Sequence, residues 1–212
     1  MSPKSECGLS LISLMVGLTI SMLVILATLS TYKATVGITV GAGQDARLNG
    51  QLTSGVLAAQ INLQSAGFGI EAPAYGTNLV VLTGAAFGNG NTLGSGSTAA
   101  EGNAVVWDWD TDPPGGPRKC GLLIHPLGGG LQYATAANCS QAGDWNTITW
   151  STPVVLVENA PDVSITTQSG ACSPFGTGSS IGNLSVRIKT TNSNAVTAFH
   201  SVCLGNFEEP SP

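Results

Sequence analysis

The order of apolar and polar residues divides the chain into a helical N-terminal part and a strand-rich remainder. Residues 9–32 contain no charged side chain. An α-helix needs about 20 predominantly apolar residues to cross the hydrocarbon core of a bilayer. The apolar region of a cleavable secretory signal is shorter than this run. We therefore predict a transmembrane or assembly helix over residues 9–32.

The helical pattern continues beyond the uncharged run. Apolar residues recur there at spacings of three and four, which places them on one stripe of a helix. The stripe consists of Leu48, Leu52, Val56, Ala59, Leu63 and Ala66. Leu57 and Ile61 are expected to widen it. An amphipathic continuation of the helix is thus predicted over residues 33–69, ended by Gly67 and Gly69.

Three glycines lie between the apolar and the amphipathic stretches. Gly37, Gly41 and Gly43 each cost about 1 kcal/mol relative to alanine in a helix interior. We therefore expect a bend or a locally melted stretch over residues 37–43.

From residue 70 onward, short runs rich in β-branched and aromatic residues alternate with Gly, Asn, Pro and Ser. The runs predicted as strands are NLVVLTG, NAVVWDWD, NTITW, PVVLVEN, DVSITT, LSVRIKT and AVTAFHSVCL. In LSVRIKT, Leu184, Val186 and Ile188 alternate with polar residues, as in a strand with one buried face. The last two runs are expected to form a hairpin. The predicted fold class is α+β, with the long helix packed on an antiparallel β-sheet head over residues 70–212.

The charge composition of the chain bears on whether it could bind nucleic acid. Only 9% of the 212 residues are charged and the formal net charge is −5. Binding to nucleic acid backbone needs clustered cations, and the close cationic pairs are Arg118–Lys119 and Arg187/Lys189. We interpret both pairs as solvated surface charge, so nucleic acid is not indicated as a partner.

The cysteines indicate an oxidising compartment. The chain has five, namely Cys7, Cys120, Cys139, Cys172 and Cys203. None has the spacing of a zinc site. Cys7 precedes the uncharged run. If this leading stretch is removed from the chain, four cysteines remain, and an even number fits two disulfides in a non-cytosolic domain. Of three connectivities, Cys120–Cys139 with Cys172–Cys203 is the simplest.

Few other residues of the chain suggest a catalytic or metal-binding role. Asp108, Asp110 and Asp112 alternate as at the start of a calcium loop, but Pro113 and Lys119 stand where an EF-hand needs Gly and an acid. We interpret them as an acidic loop and keep them as weak calcium candidates. His125 and His200 are interpreted as loop and strand residues, and two or three of the four tryptophans are expected in the core. No catalytic motif is present, so we expect neither an enzyme nor a cofactor.

The beginning of the chain resembles a known family. GLSLISLMVGLTISMLVILATLS is similar to the N-terminal signature of type IV prepilins and pseudopilins, a polar leader ending in Gly followed at once by an apolar helix. QINLQSAGFGI and LSVRIKTTNSNAVTAFHSVCLGNF resemble the helix end and the closing hairpin of minor pilins of the PilW type. In such minor pilins the hairpin often ends on Arg-Asn, where this chain has Gly205–Asn206.

The resemblance implies a processing site and a function. Residues 1–8 would be a leader that a prepilin peptidase removes between Gly8 and Leu9, with N-methylation of Leu9. The fold would be pilin-like, and the chain would be a structural minor pilin of a type IV pilus. Its implied partners are other minor pilins, the major pilin and the inner-membrane assembly platform. It would be a single-pass protein of the bacterial inner membrane with a periplasmic head, and later part of a filament at the cell surface.

The chain departs from the family at Ser13. The family usually carries Glu there, and its carboxylate pairs with the N-terminal amine of a neighbouring subunit. A carboxylate in lipid is costly unless it is paired, and Ser13 cannot make this pair. The departure favours a priming or tip subunit, with tolerated variation as the other interpretation. The alternatives for the whole chain are a type II secretion pseudopilin and a tip subunit that acts as an adhesin or in DNA uptake.

Overall fold

The computed structural model describes residues 10–112, 116–158, 162–174, 182–191 and 197–207. One helix precedes ten strands. The elements are α1 (Leu11–Leu63), β1 (Leu79–Phe87), β2 (Leu93–Thr98), β3 (Glu101–Gly102), β4 (Ala104–Trp109), β5 (Arg118–Ile124), β6 (Leu131–Cys139), β7 (Val154–Val157), β8 (Asp162–Cys172), β9 (Gly182–Thr191) and β10 (Thr197–Leu204). By its contacts the chain divides into two units between Arg47 and Leu48.

The first unit is the N-terminal part of α1. It is long and apolar enough to cross a membrane, with a mean hydropathy of 2.4 over its most apolar window. Its side chains are exposed on every side from residue 11 to residue 40. The predicted melted stretch over residues 37–43 is wrong, because α1 is helical through Gly37, Gly41 and Gly43. The propensity cost of three glycines is small beside the cooperativity of a 53-residue helix.

The second unit, the head, contains two antiparallel sheets. The six-stranded sheet has the order β2-β1-β4-β5-β6-β7, and the four-stranded sheet has the order β10-β9-β8-β3. The predicted closing hairpin is confirmed, since β9 pairs with β10 from Leu184–Leu204 to Thr191–Thr197. The fold is therefore α+β with an antiparallel β head, as the pattern of residues predicts.

The main core lies between the C-terminal part of α1 and both sheets. Val56, Ala59, Leu63 and Ala66 are fully buried, and Leu52 packs beside them. The predicted stripe is thus confirmed where it meets the head. Its predicted widening is wrong, because Leu57 and Ile61 are 55% and 61% exposed. Those side chains lie about 100° or more from the centre of the stripe, so a flat sheet surface cannot reach them.

A second core covers the other face of the six-stranded sheet. Residues 142–150 lie across it and bury Ala142, Ile148 and Trp150. NTITW was predicted to be a strand, and this prediction is wrong. The stretch is part of this covering segment. Its apolar residues are buried by packing onto a sheet rather than by joining one, and a short apolar run does not distinguish the two.

Four strands were not predicted from the sequence, namely β2, β3, β5 and β6. They are rich in Gly, Ala, Ser and Cys, and few of their residues are of the β-branched or aromatic types that signal a strand. Gly121 of β5 shows why, since a Cβ there would overlap the Trp107 ring of β4. The Trp107 side chain of β4 fills the space that a side chain at Gly121 would otherwise occupy.

Both disulfides are present. Cys120 of β5 is bonded to Cys139 of β6, and Cys172 of β8 to Cys203 of β10. This is the simplest of the three connectivities. Each bond ties strands of one sheet together, close to the covering segment in the first case and at the sheet edge in the second.

Candidate functional site

The N-terminal end of α1 contains the candidate assembly residues. Gly8 and Leu9 lie outside the described residues. Ser13 lies in the first turn of α1 with its side chain exposed, and the Leu14 amide donates to the Ser10 carbonyl over 3.2 Å. The position at which the prepilin family usually carries a carboxylate is therefore on an open helix surface, available to a partner.

Six hydroxyl groups between residue 19 and residue 39 of α1 form hydrogen bonds to the helix itself. Each donates to a backbone carbonyl three or four residues earlier, over distances between 2.8 and 3.0 Å. The donors are Thr19, Ser21, Thr28, Thr31, Thr35 and Thr39. A hydroxyl satisfied in this way needs no water. The polar residues of the run are thus compatible with lipid or with close helix packing.

The apolar surface ends at Tyr32 and Lys33. Tyr32 is 68% exposed, and Lys33 is the first charged residue after the uncharged run. Tyr and Lys are the residues that sit at a membrane–water interface, where an apolar body and a polar tip are both satisfied. This pair marks the end of the segment that lipid can cover.

The C-terminal end of α1 is joined to β4 by a pair of backbone hydrogen bonds. The Gly67 amide donates to the Asp108 carbonyl over 2.9 Å, and the Asp110 amide donates to the Phe68 carbonyl over 2.8 Å. Gly67 and Gly69 have φ values of 73° and 70°. A Cβ on Gly69 would overlap the Asp110 carbonyl. The helix thus ends at Leu63, earlier than the predicted residue 69, and the two glycines let the turn that follows it approach β4.

Two side chains reinforce this end of the helix. Asn206, just after β10, donates from Nδ2 to the Ala66 carbonyl over 2.9 Å. Trp107 of β4 donates from Nε1 to Ser65 Oγ over 3.2 Å. The tail that resembles a pilin closing hairpin thus ends on a residue that satisfies a carbonyl left open by the helix terminus.

Gly55 is a structural residue that the sequence did not indicate. A Cβ at this position would lie 2.7 Å from the Leu156 carbonyl oxygen and would overlap the Val157 side chain. The absence of a side chain lets α1 lie directly on β7 at the edge of the six-stranded sheet. An isolated Gly within the apolar stripe was the available signal.

Asp108 forms an ion pair with Arg118. Its side chain is fully buried, and Oδ2 accepts from Arg118 Nη1 over 3.1 Å and from Asn78 Nδ2 over 3.2 Å. Our interpretation of Arg118 as solvated surface charge is therefore wrong, because it neutralises a buried acid. Its partner across the strands could not be identified before the pairing of β4 with β5 was known.

The calcium candidates are not assembled into a site. The Asp108 carboxylate is paired with Arg118, and the Asp110 carboxylate accepts a hydrogen bond from the Asp112 amide over 2.9 Å. In the described ranges, no three His, Cys, Asp or Glu side chains come together in a way that could hold a metal ion. Asp108 and Asp110 are buried, whereas Asp112 is exposed.

Burial raises the pKa of the Asp108 carboxyl above its usual value. The hydrogen bond from Asn78, the charge of Arg118 and the Ala142 amide lower it, but they do not offset the loss of hydration. In the described part of the chain, Oδ1 has no hydrogen bond of ordinary geometry. Desolvation of a partly paired carboxylate favours its neutral form.

The histidines and tryptophans singled out in the sequence lie in the loops, strands and cores of the head. His125 contacts the Gly130 carbonyl through Nδ1 at 2.5 Å, and His200 is half-buried in β10. Trp107 and Trp150 are buried, as expected of two of the tryptophans, while Trp109 and Trp145 are half-buried. Trp107 stacks on Tyr133 with ring centroids 5.9 Å apart.

Comparison of the chain with protein-family models, with curated proteins and with solved structures gives no match.

Proposed function

We propose that this chain is a minor pilin of a type IV pilus, inserted in the inner membrane before assembly and packed among like helices in the filament. The observation that supports this most strongly is the contrast within one helix. Residues 11–32 of α1 are uncharged, largely apolar and exposed on every side, whereas Val56, Ala59 and Leu63 of the same helix are buried in the head. Such a helix needs lipid or other apolar helices around its first part.

The hydrogen bonds that hydroxyl groups make within α1 support a transfer of this helix from lipid to a bundle of packed helices. Ser21 donates to the Gly17 carbonyl over 2.8 Å, and Thr28 donates to the Ile25 carbonyl over 2.9 Å. Because these groups are satisfied internally, the helix surface behaves as small and apolar in either environment. Close packing of small residues replaces lipid contact when such helices associate.

The two disulfides support a periplasmic head. Such bonds persist in oxidising compartments and are rare in the cytosol. With one membrane-spanning segment between residue 9 and residue 32, a periplasmic head places the leader in the cytoplasm. A prepilin peptidase would cut there between Gly8 and Leu9.

Ser13 supports a role in priming or at the filament tip. The residue is exposed on the first turn of α1 and offers a hydroxyl in place of the carboxylate. A subunit with no earlier neighbour has no amine to pair with. Its partners would be other minor pilins, the major pilin and the assembly platform.

Intact-mass spectrometry of the mature chain tests the proposal. The full chain is expressed with and without a prepilin peptidase in a host that lacks its own. With the peptidase we expect loss of residues 1–8 and the gain of one methyl group. Retention of the leader with an active peptidase would contradict the proposal.

Two glycine variants make this test specific. Gly8→Leu is expected to keep the leader, while Gly17→Leu, at a helix position with open space around it, is expected to be processed normally. Equal processing of both variants would show that Gly8 does not define the cleavage site. In filaments, copurification with a major pilin or with secretion components separates a pilus subunit from a type II pseudopilin.

A further inference from the structure

The chain contains two Asn-Gly pairs, Asn49–Gly50 and Asn89–Gly90. Asparagine cyclises most readily before glycine, because glycine has no Cβ to obstruct the approach of its amide nitrogen to the asparagine side chain. All these residues are exposed, and nothing lies within 4 Å of a Cβ built on either glycine. Solvent access therefore does not distinguish the two pairs, whereas the hydrogen bonding of their backbones does.

The first pair lies well inside α1 (Leu11–Leu63). Each amide of an α-helix interior donates to the carbonyl four residues earlier and points along the helix axis. The Thr53 hydroxyl also donates to the Asn49 carbonyl over 2.9 Å. The Gly50 nitrogen can therefore reach the Asn49 side chain only if the turns on both sides of it unwind, and the cooperativity of a long helix opposes this.

The second pair lies in a short 3-10 turn over Asn89–Asn91, between β1 and β2. Gly90 is the second residue of this turn, and the first amides of a helical element have no acceptor inside it. The turn is held by a bond of 3.1 Å from the Thr92 hydroxyl to the Asn89 carbonyl and one of 2.8 Å from the Gly88 amide to the Thr92 carbonyl. So short an exposed element opens easily, and its opening lets the Gly90 nitrogen meet the Asn89 side chain.

We propose that Asn89 is a site of spontaneous modification, at which the asparagine is converted into isoaspartate through a cyclic imide. The Gly90 amide nitrogen bonds to Asn89 Cγ, the bond from Cγ to the side-chain nitrogen breaks, and that nitrogen leaves as ammonia with the proton lost from the Gly90 amide. Water then opens the ring, mainly at the backbone carbonyl of Asn89, so that the main chain continues through Cγ and a free carboxylate remains. Water is the only co-reactant, and the proposal does not depend on the function as a minor pilin.

The modified turn is in contact with the segment that covers the six-stranded sheet. The Trp150 amide donates to the Asn91 carbonyl over 2.9 Å, and the Trp150 side chain is buried in the second core. Isoaspartate at position 89 lengthens the main chain by a methylene group and adds a negative charge close to this carbonyl. Conversion of Asn89 should therefore loosen the hold of the turn on residues 142–150.

Incubation of the full chain in detergent micelles in mildly alkaline buffer tests the proposal. A glutamyl endopeptidase used at weakly acidic pH cuts after Glu71 and Glu101, which puts Asn49 and Asn89 in different peptides. Isoaspartate in each peptide is measured by fragmentation mass spectrometry and by methyl labelling with a protein-isoaspartate methyltransferase. We expect Asn89 to be converted roughly tenfold or more faster than Asn49, because the helix must unwind at Asn49. Equal rates, a faster reaction at Asn49, or no conversion at Asn89 would overturn the proposal.

The unfolded chain and two variants keep the test specific. In concentrated urea both Asn-Gly pairs should react at similar rates, and a difference as large as in the folded protein would show that the fold does not select Asn89. Asn89→Ser should remove the isoaspartate signal, while Asn49→Ser should leave it intact. Quenching of tryptophan by acrylamide should increase during incubation of the wild type and stay constant in Asn89→Ser. An equal increase in both would show that the modified turn does not act on Trp150.

Discussion

Asn206 donates a hydrogen bond from Nδ2 to the carbonyl oxygen of Ala66, 140 residues earlier in the chain, over 2.9 Å. The contact joins the turn after β10 to the turn that follows α1. It satisfies a carbonyl that the helix terminus leaves without an intrahelical partner.

Removing this contact should loosen the end of the helix. Asn206→Ala is expected to lower the free energy of unfolding by about 1–2 kcal/mol, because the carbonyl of the buried Ala66 loses its hydrogen-bond partner. Denaturant unfolding of the full chain in detergent measures the change. Asn138→Ala, an exposed position on β6, serves as the control and should change stability little. Equal effects would show that the contact contributes nothing specific.

The close approach of α1 to β7 predicts opposite effects for two glycines of the same helix. Gly55→Ala should destabilise the protein by about 1–3 kcal/mol, because the new Cβ meets the Leu156 carbonyl and the Val157 side chain. Gly50→Ala, with open space around it, should stabilise by up to about 1 kcal/mol through helix propensity. Thermal unfolding of both variants checks the prediction. Two stabilising substitutions would show that Gly55 is not needed for the contact.

Asp108 should make stability depend on pH. Its pKa is raised in the folded state, so the folded protein takes up a proton at a higher pH than the unfolded chain does. The stabilising contribution of this protonation is present at low pH and is lost as the pH rises through the folded-state pKa. As the pH rises above about 4, the ordinary pKa of an aspartate, the free energy of unfolding should therefore depend less on pH in Asp108→Asn than in the wild type.

Denaturant titrations at several pH values measure this difference. Asp112→Asn, which removes an exposed carboxyl of the same segment, serves as the control for the loss of one acid. The same slope in Asp108→Asn and in the wild type would contradict a raised pKa at this site.

The first disulfide should hold the covering segment on the six-stranded sheet, because Cys139 directly precedes residues 142–150. The double variant Cys120→Ser/Cys139→Ser is expected to lose about 3 kcal/mol of stability. It should also expose Trp150, which is 2% accessible in the folded protein. Tryptophan fluorescence and quenching by acrylamide measure the exposure. The matched variant Cys172→Ser/Cys203→Ser should lose similar stability without exposing Trp150.

Much of the fold could be predicted from local patterns. A run without charge is long enough for a membrane because of its length and composition alone, and Val56, Ala59 and Leu63 form a buried stripe because helical spacing puts them on one side. The alternation in LSVRIKT likewise fixes which residues of β9 face the core. These features depend on periodicity, which each segment carries by itself.

The tertiary structure decided what depends on neighbours distant in sequence. Gly121 lies in a strand because Trp107 fills the space above it, and NTITW lies across a sheet because that sheet has an apolar face to cover. Arg118 is paired because the register of β4 and β5 brings it to Asp108. Leu57 and Ile61 are exposed because a sheet contacts only one side of a helix. The sequence by itself determined which segments are apolar and with what period, and only the pairing of strands decided which groups meet, because register couples residues that no local pattern connects.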